Sequence, residues 1–296
     1  MGKALIGIII IPLLVFKSCG NHKKEEMLNT EITNGQNDSI AFKSGYFLVN
    51  GLQMYYEVYG QGKPLVLLHG GGSTIQTSFG RILPRLAKSR QLIGVELQAH
   101  GRSGDRDSDI SFEQDADDVA ALLGKLGIAK ADFFGFSNGG TTALQIAIRH
   151  PGLVNKIIAG SALCKRNGAP DEFWDFMKQA RLEHMPQQYK DAYASIAPDP
   201  GRLRIMHDKC ARRMQTFTDI PDEQLTSIKA PTLIITGDRD VMTPEHAVAM
   251  HRLITNSKLA IIPGGHGDYI GEITTLKPGS GESDFAVPMI TAFLDE

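Results

Sequence analysis

The segment ADFFGFSNGGTTALQIAIRHP, Ala131 to Pro151, passes from an apolar, aromatic run to a helical pattern within a few residues. A run that is apolar on both alternating faces cannot leave either face in water, so it reads as a strand covered on both sides. The helix after it, stopped by Pro151, must carry the chain back over one of those faces. The unit recurs along the chain. KPLVLLHGGG is a strand ending in glycines, with a helix predicted from Thr77 to Ser89. RQLIGVELQ is a strand followed by a helix to about Leu126, with Ser111 and Gln114 as a capping box. KIIAGSA, PTLIITG and KLAIIPGG are further strands, and Thr243-Pro244 opens a helix between the last two. GYFLVNGLQMYYEVYG precedes them with two β-rich runs about Asn50-Gly51, a hairpin signal. A last helix covers roughly Ser283 to Leu294.

Strands alternating with helices at this spacing predict an α/β protein, with a mostly parallel twisted sheet and helices on both faces. The alternation stops once. From about 165 to 229 the pattern is that of two or three amphipathic helices with no strand among them. Such an insertion forms a helical cap over the C-terminal edge of the sheet, where open α/β sheets bind ligands. The α/β domain then spans 44–296, cap included.

Before it stands a different kind of sequence. MGKALIGIIIIPLLVFKSC has a charged start, an apolar run from Ala4 to Phe16, then a small residue and a cysteine. That run suits a secretory leader and is short for a membrane-spanning helix, which needs about 20 residues. Phe16-Lys17-Ser18-Cys19 is similar to a bacterial lipoprotein cleavage site, with departures at Phe16 and Lys17. Residues 1–18 are therefore expected to be a signal peptide and Cys19 a lipidation site. Residues 19–43 would be a polar tether to a membrane of the cell envelope. Cys164 and Cys210 remain as a possible disulfide in that oxidising setting, or as two buried thiols. The formal net charge of −2 offers no basic field for nucleic acid. No zinc-binding or phosphate-binding spacing occurs, and no metal or cofactor is expected.

Chemistry enters at the strand ends. A serine hydroxyl attacks only when a base takes its proton and donors receive the oxyanion. Gly135-Phe136-Ser137-Asn138-Gly139 places Ser137 on a sharp strand-to-helix turn, where crowding demands small flanking residues. His69-Gly70-Gly71-Gly72 ends an earlier strand and could offer free backbone N–H groups, with His69 itself a structural loop residue. Gly71 N–H and Asn138 N–H are the candidate oxyanion donors. Gly237-Asp238-Arg239-Asp240 and Gly264-Gly265-His266 end two later strands, which completes the order serine, acid, histidine. Asp238 and Asp240 are equally placed by spacing alone.

These pieces carry a resemblance. HGGG, VELQAHGRSG, GFSNGG, RHPGLV, APTLIITGDRDVMTP and IPGGHGD are similar to the motifs of the α/β-hydrolase fold family, from about Gly45 to the C-terminus. The resemblance assigns the acid to Asp240, at the fourth position of G-x-x-D, beside Ser137 as nucleophile and His266 as base. It implies hydrolysis of a small-molecule ester or lactone through an acyl-enzyme. The chain departs from the family at Gln98-Ala99-His100, within a run that is commonly D-x-x-G-H-G-R-S. It departs again after His266, where Gly267-Asp268-Tyr269 and a glycine-rich tract are expected to be a surface insertion.

The same triad serves amidases and aminopeptidase-like enzymes, carbon–carbon bond hydrolases and perhydrolases, and the scaffold also permits a non-catalytic binding protein. Phe173, Trp174, Phe176, Met177 and Met206 could line an acyl pocket or simply pack the cap.

Overall fold

A computed structural model describes residues 40–276 and 286–296, so the leader, Cys19 and most of the tether lie outside the described residues. Eight strands form one sheet in the order β1-β2-β4-β3-β5-β6-β7-β8. They are β1 (Phe42–Val49), β2 (Leu52–Tyr59), β3 (Lys63–Leu68), β4 (Arg90–Val95), β5 (Ala131–Phe136), β6 (Val154–Gly160), β7 (Thr232–Gly237) and β8 (Ser257–Ile262). β1 and β2 form the hairpin expected at Asn50-Gly51, both of whose turn residues have positive φ, and β2 also runs antiparallel to β4. Every other pairing is parallel.

Each central strand feeds two cores by alternation. In β3, Val66 and Leu68 point to one face, whereas Leu65 and Leu67 point to the other. The first face is covered by α3 (Phe112–Lys125), α4 (Asn138–Arg149), α8 (Asp222–Ser227) and α9 (Pro244–Leu253). The second is covered by α1 (Ile75–Phe79), α2 (Leu83–Leu86) and α10 (Ala286–Asp295). The single helix predicted from Thr77 to Ser89 is two short ones. Gly80 ends the first, and the second restarts with Pro84 in its first turn, where its missing N–H costs nothing. Ser111 caps α3 through the Gln114 N–H, but the Gln114 carboxamide turns away to Asp118 instead of closing the box.

Between β6 and β7 the chain is helical, with α5 (Asp171–Lys178), α6 (Gln187–Ile196) and α7 (Leu203–Gln215) joined by short 3-10 turns. These three roof the C-terminal edge of the sheet, while α8 packs with α4 and α9 below. The excursion leaves and returns at one point. Ile220 N–H donates to the Cys164 carbonyl (2.9 Å), and Arg166 N–H donates to the Asp219 carboxylate (2.6 Å).

The stretch after His266, expected as a surface insertion, is packed where it is described. Tyr269, Ile270 and Glu272 are buried, and residues 273–275 lie against α6. Apolar side chains at 269 and 270 fill the core under α10, which is the physical reason the segment cannot float. Residues 277–285 lie outside the described set.

Candidate active site

β3 and β5 are neighbours, but the chain leaves them in opposite directions, toward β4 and toward β6. Their ends therefore flank the crevice of the sheet, with Leu68 paired to Gly135 at the rim. Just beyond, Ser137 stands at φ 54 and ψ −120 between β5 and α4. Its N–H donates to Gly160 O (2.8 Å) and its carbonyl accepts the Gly140 N–H (2.8 Å), so both sides of the turn are tied down. The flanking glycines are required by close approach. A Cβ on Gly135 would strike the Gly139 carbonyl, and one on Gly139 would strike the carbonyls of Leu68 and His69.

Gly71 lies beside this turn, because a side chain there would occupy the place of the Asn138 carboxamide. Neither the Gly71 N–H nor the Asn138 N–H has an acceptor among the described residues. The loop that carries Gly71 is held by two buried histidines. His69 donates from Nδ1 to Gly70 O (2.8 Å) and accepts the Leu97 N–H at Nε2 (3.1 Å). Both its nitrogens are spent, and burial pushes its pKa well down, as expected for a structural residue. His100 donates from Nδ1 to Gln98 O (2.8 Å) and accepts the Gly72 N–H at Nε2 (3.1 Å). Burial lowers its pKa to about 4, which keeps that acceptor available. Cys210 Sγ lies 3.2 Å from the same nitrogen. Cys210 and the buried Cys164 are both free thiols.

β7 and β8 are adjacent, and their ends bring Asp240 and His266 together. His266 Nδ1–H donates to Asp240 Oδ1 at 2.7 Å, with the imidazole ring against Phe136 (centroids 4.8 Å apart). The Asp240 side chain is fully buried. Burial alone would raise its pKa, but the hydrogen bonds from His266, Ser161 Oγ–H (2.5 Å) and Met242 N–H (3.1 Å) outweigh it and hold the carboxyl below its usual value. Asp238, the other candidate, is 46% exposed and accepts the Gly264 N–H (2.8 Å). Asp268 accepts the Gly265 N–H (2.5 Å), which engages it away from His266.

Two members of this network carry no motif. Ser161, with φ 47, follows β6 at the same edge and reaches Asp240 Oδ2. Its own hydrogen goes to that carboxylate, so the buried Tyr269 hydroxyl, 2.9 Å away, donates to Ser161 Oγ. The only trace in the sequence is the serine directly after KIIAG.

Ser137, Asn138, Gly71 and His266 line one cavity of about 260 Å³ roofed by the cap. Ser137 Oγ makes no hydrogen bond among the described residues, so it is open to the cavity. Phe173, Phe176 and Met177 line this space. Trp174 and Met206 do not: Trp174 packs on Phe217 and Arg166, and Met206 is buried beside Ala99 and Tyr193. No cluster of three or more potential metal ligands occurs among the described residues.

Comparison with known proteins agrees with this architecture. A family model described as alpha/beta hydrolase fold matches residues 63–207. The structure resembles the enol-lactonase of Burkholderia xenovorans with a TM-score of 0.67 at 22% identity, covering 85% of this chain and 100% of that one. The chain has the α/β-hydrolase fold. Among curated proteins, the chain is 28% identical to the human serine hydrolase BPHL over 73% of its own length and 77% of the relative's. It is 26% identical to the Bacillus subtilis AB hydrolase superfamily protein YisY, over 74% and 90% of the two chains. Where the chain departs from the run common in that family, Ala99 takes φ 67, a region that favours glycine. Glu96, at the acidic position of the run, accepts the Arg102 N–H, and burial pushes its pKa up to about 7 in spite of the Arg102 guanidinium.

Proposed function

We propose that this α/β-hydrolase is a serine hydrolase that cleaves carboxylic esters or lactones of small to medium substrates. The observation that carries the reading is the Asp240–His266 hydrogen bond at the rim of the cavity that Ser137 enters, opposite two unengaged backbone amides. Ser137 Oγ adds to the carbonyl carbon as His266 Nε2 takes its proton, and Gly71 N–H and Asn138 N–H receive the oxyanion. Collapse of the tetrahedral species expels the alkoxide, which leaves with the proton from His266. Water then enters and adds to the acyl carbon as His266 takes its proton, and collapse expels Ser137 Oγ, to which His266 returns that proton. Asp240 stays ionised throughout and stabilises the imidazolium. All the groups come from the chain itself.

The name of one relative, a serine hydrolase, supports the nucleophile of this reading. Amide, carbon–carbon and perhydrolase chemistry use the same atoms, and a panel of esters, lactones, aminoacyl amides and β-diketones separates them. Labelling by a fluorophosphonate, absent in Ser137→Ala, is the primary test. Well-folded wild-type protein that resists the label would leave a non-catalytic binding role in its place.

The leader and Cys19 support a second proposal, that the enzyme is tethered by lipid to a membrane of the bacterial envelope. Replacing Cys19 by Ala should release it to the soluble fraction, and retention in the membrane would count against the tether.

A further inference from the structure

The cavity is sorted along its length, and the end marked by His207 is basic. On α7 the residues that face it are His207, Cys210, Ala211 and Met214, spaced as one helix stripe. His207 and Met214 therefore mark two ends about 10 Å apart along the helix axis. The Met214 end is closed by apolar side chains, with Phe173, Met177, Val241 and Met242 packed in the same cluster. Toward the other end stand Arg181, directly before the 3-10 turn Leu182–His184, and His184 within it, and that turn packs against α7.

No Asp or Glu lines the cavity, and Arg181 makes no ion pair among the described residues. The nearby carboxylates are occupied and exposed: Glu183 pairs with Arg204 (3.5 Å) and Asp208 with His207 Nδ1 (2.8 Å). A guanidinium is charged at every working pH, and its planar fork matches a carboxylate. Left with an unpaired guanidinium at its mouth and an apolar floor, the cavity complements an apolar chain that ends in an anion.

We infer that the enzyme selects esters bearing a carboxylate on the side remote from the scissile bond, recognised by Arg181 at the mouth of the cavity. This rests on the serine-hydrolase reading and adds the substrate class. The anion can belong to the acyl group or to the alcohol, and two matched pairs distinguish them. The acyl pair is the mono(4-nitrophenyl) ester of suberic acid and its methyl-capped diester. The alcohol pair is 4-acetoxybenzoate and its methyl ester.

The experiment compares kcat/KM within each pair for the full chain and for Arg181→Met and Arg181→Lys. One charge-assisted hydrogen bond predicts a preference of about tenfold or more for the anionic member of one pair, carried mainly by KM. Added salt should weaken that preference, because the arginine is exposed. Arg181→Met should bring the ratio to about one or below, and Arg181→Lys should retain part of it, with circular dichroism confirming that both fold. Ratios at or below one in both wild-type pairs overturn the inference, as does a ratio that Arg181→Met leaves untouched. Fluorophosphonate labelling of wild type is run in parallel. Labelling without a preference sinks the anion site alone, whereas no labelling at Ser137 removes the hydrolase reading and the anion site with it.

Discussion

Ser137 occupies φ 54 and ψ −120, a backbone state that costs a side-chain-bearing residue about 1–3 kcal/mol. Replacing it by glycine removes that cost together with the proposed nucleophile. Ser137→Gly should therefore raise the thermal midpoint by a few degrees while ester hydrolysis disappears, and calorimetry beside an ester assay checks both halves. Ser161 offers the opposite test. Its hydroxyl is one of the donors that hold Asp240 ionised, so Ser161→Ala should lower kcat severalfold with little change in KM. The same substitution lets the Asp240 pKa rise, which should move the acidic limb of the pH–rate profile upward. An unmoved limb would make Ser161 merely structural. The strand-end positions of Ser137, Asp240 and His266 are legible in the sequence because each follows a recognisable strand within a motif. The role of Ser161 is not, because its distance from Asp240 depends on β6 lying next to β7, and strand order is a property of the folded sheet.

The turn between β5 and α4 is the most demanding element. No rotamer can relieve a methyl group at Gly139, since the atoms it meets are the main-chain carbonyls of Leu68 and His69. Gly139→Ala should cost about 3 kcal/mol or more, read as a lowered urea midpoint or a loss of soluble protein. Element types were readable from period and punctuation, as in the buried run of β5 and the Asn50-Gly51 hairpin. Two local readings were not. The helix placed over Thr77 to Ser89 was broken by Gly80 and Pro84, where local chemistry overrode the apolar pattern. The segment after His266 read as surface because of its glycines, although the cores that Tyr269 and Ile270 enter are built by distant strands.

At the scale of the molecule, buried histidines set the response to acid. His100 and His246 have pKa values lowered by burial to about 4, and His69 is lowered as well. Each binds a proton more readily when unfolded, near 6.5, than when folded. Their stabilising contribution is complete above about pH 6.5 and is lost as the pH falls toward 4. Glu96 and Asp115 work the other way, since burial raises their pKa values and so favours the fold at lower pH, but the lowered carboxyls of Asp105, Asp117 and Asp240 act in the same sense as the histidines. The thermal midpoint should fall between pH 6.5 and 4, which a series of melting curves would measure; a flat profile would mean that the imidazoles are solvated.

The cap is joined to the sheet through a stem, where the backbone at Cys164 meets the backbone at Ile220. A segment whose two ends already touch can be exchanged without stretching its host, because closing the gap costs little chain entropy. Residues 166–219 are in that sense a graft on a rootstock that keeps Ser137, Asp240 and His266 for itself. Transplanting another cap at this stem should yield a folded chimaera with a new choice of substrates.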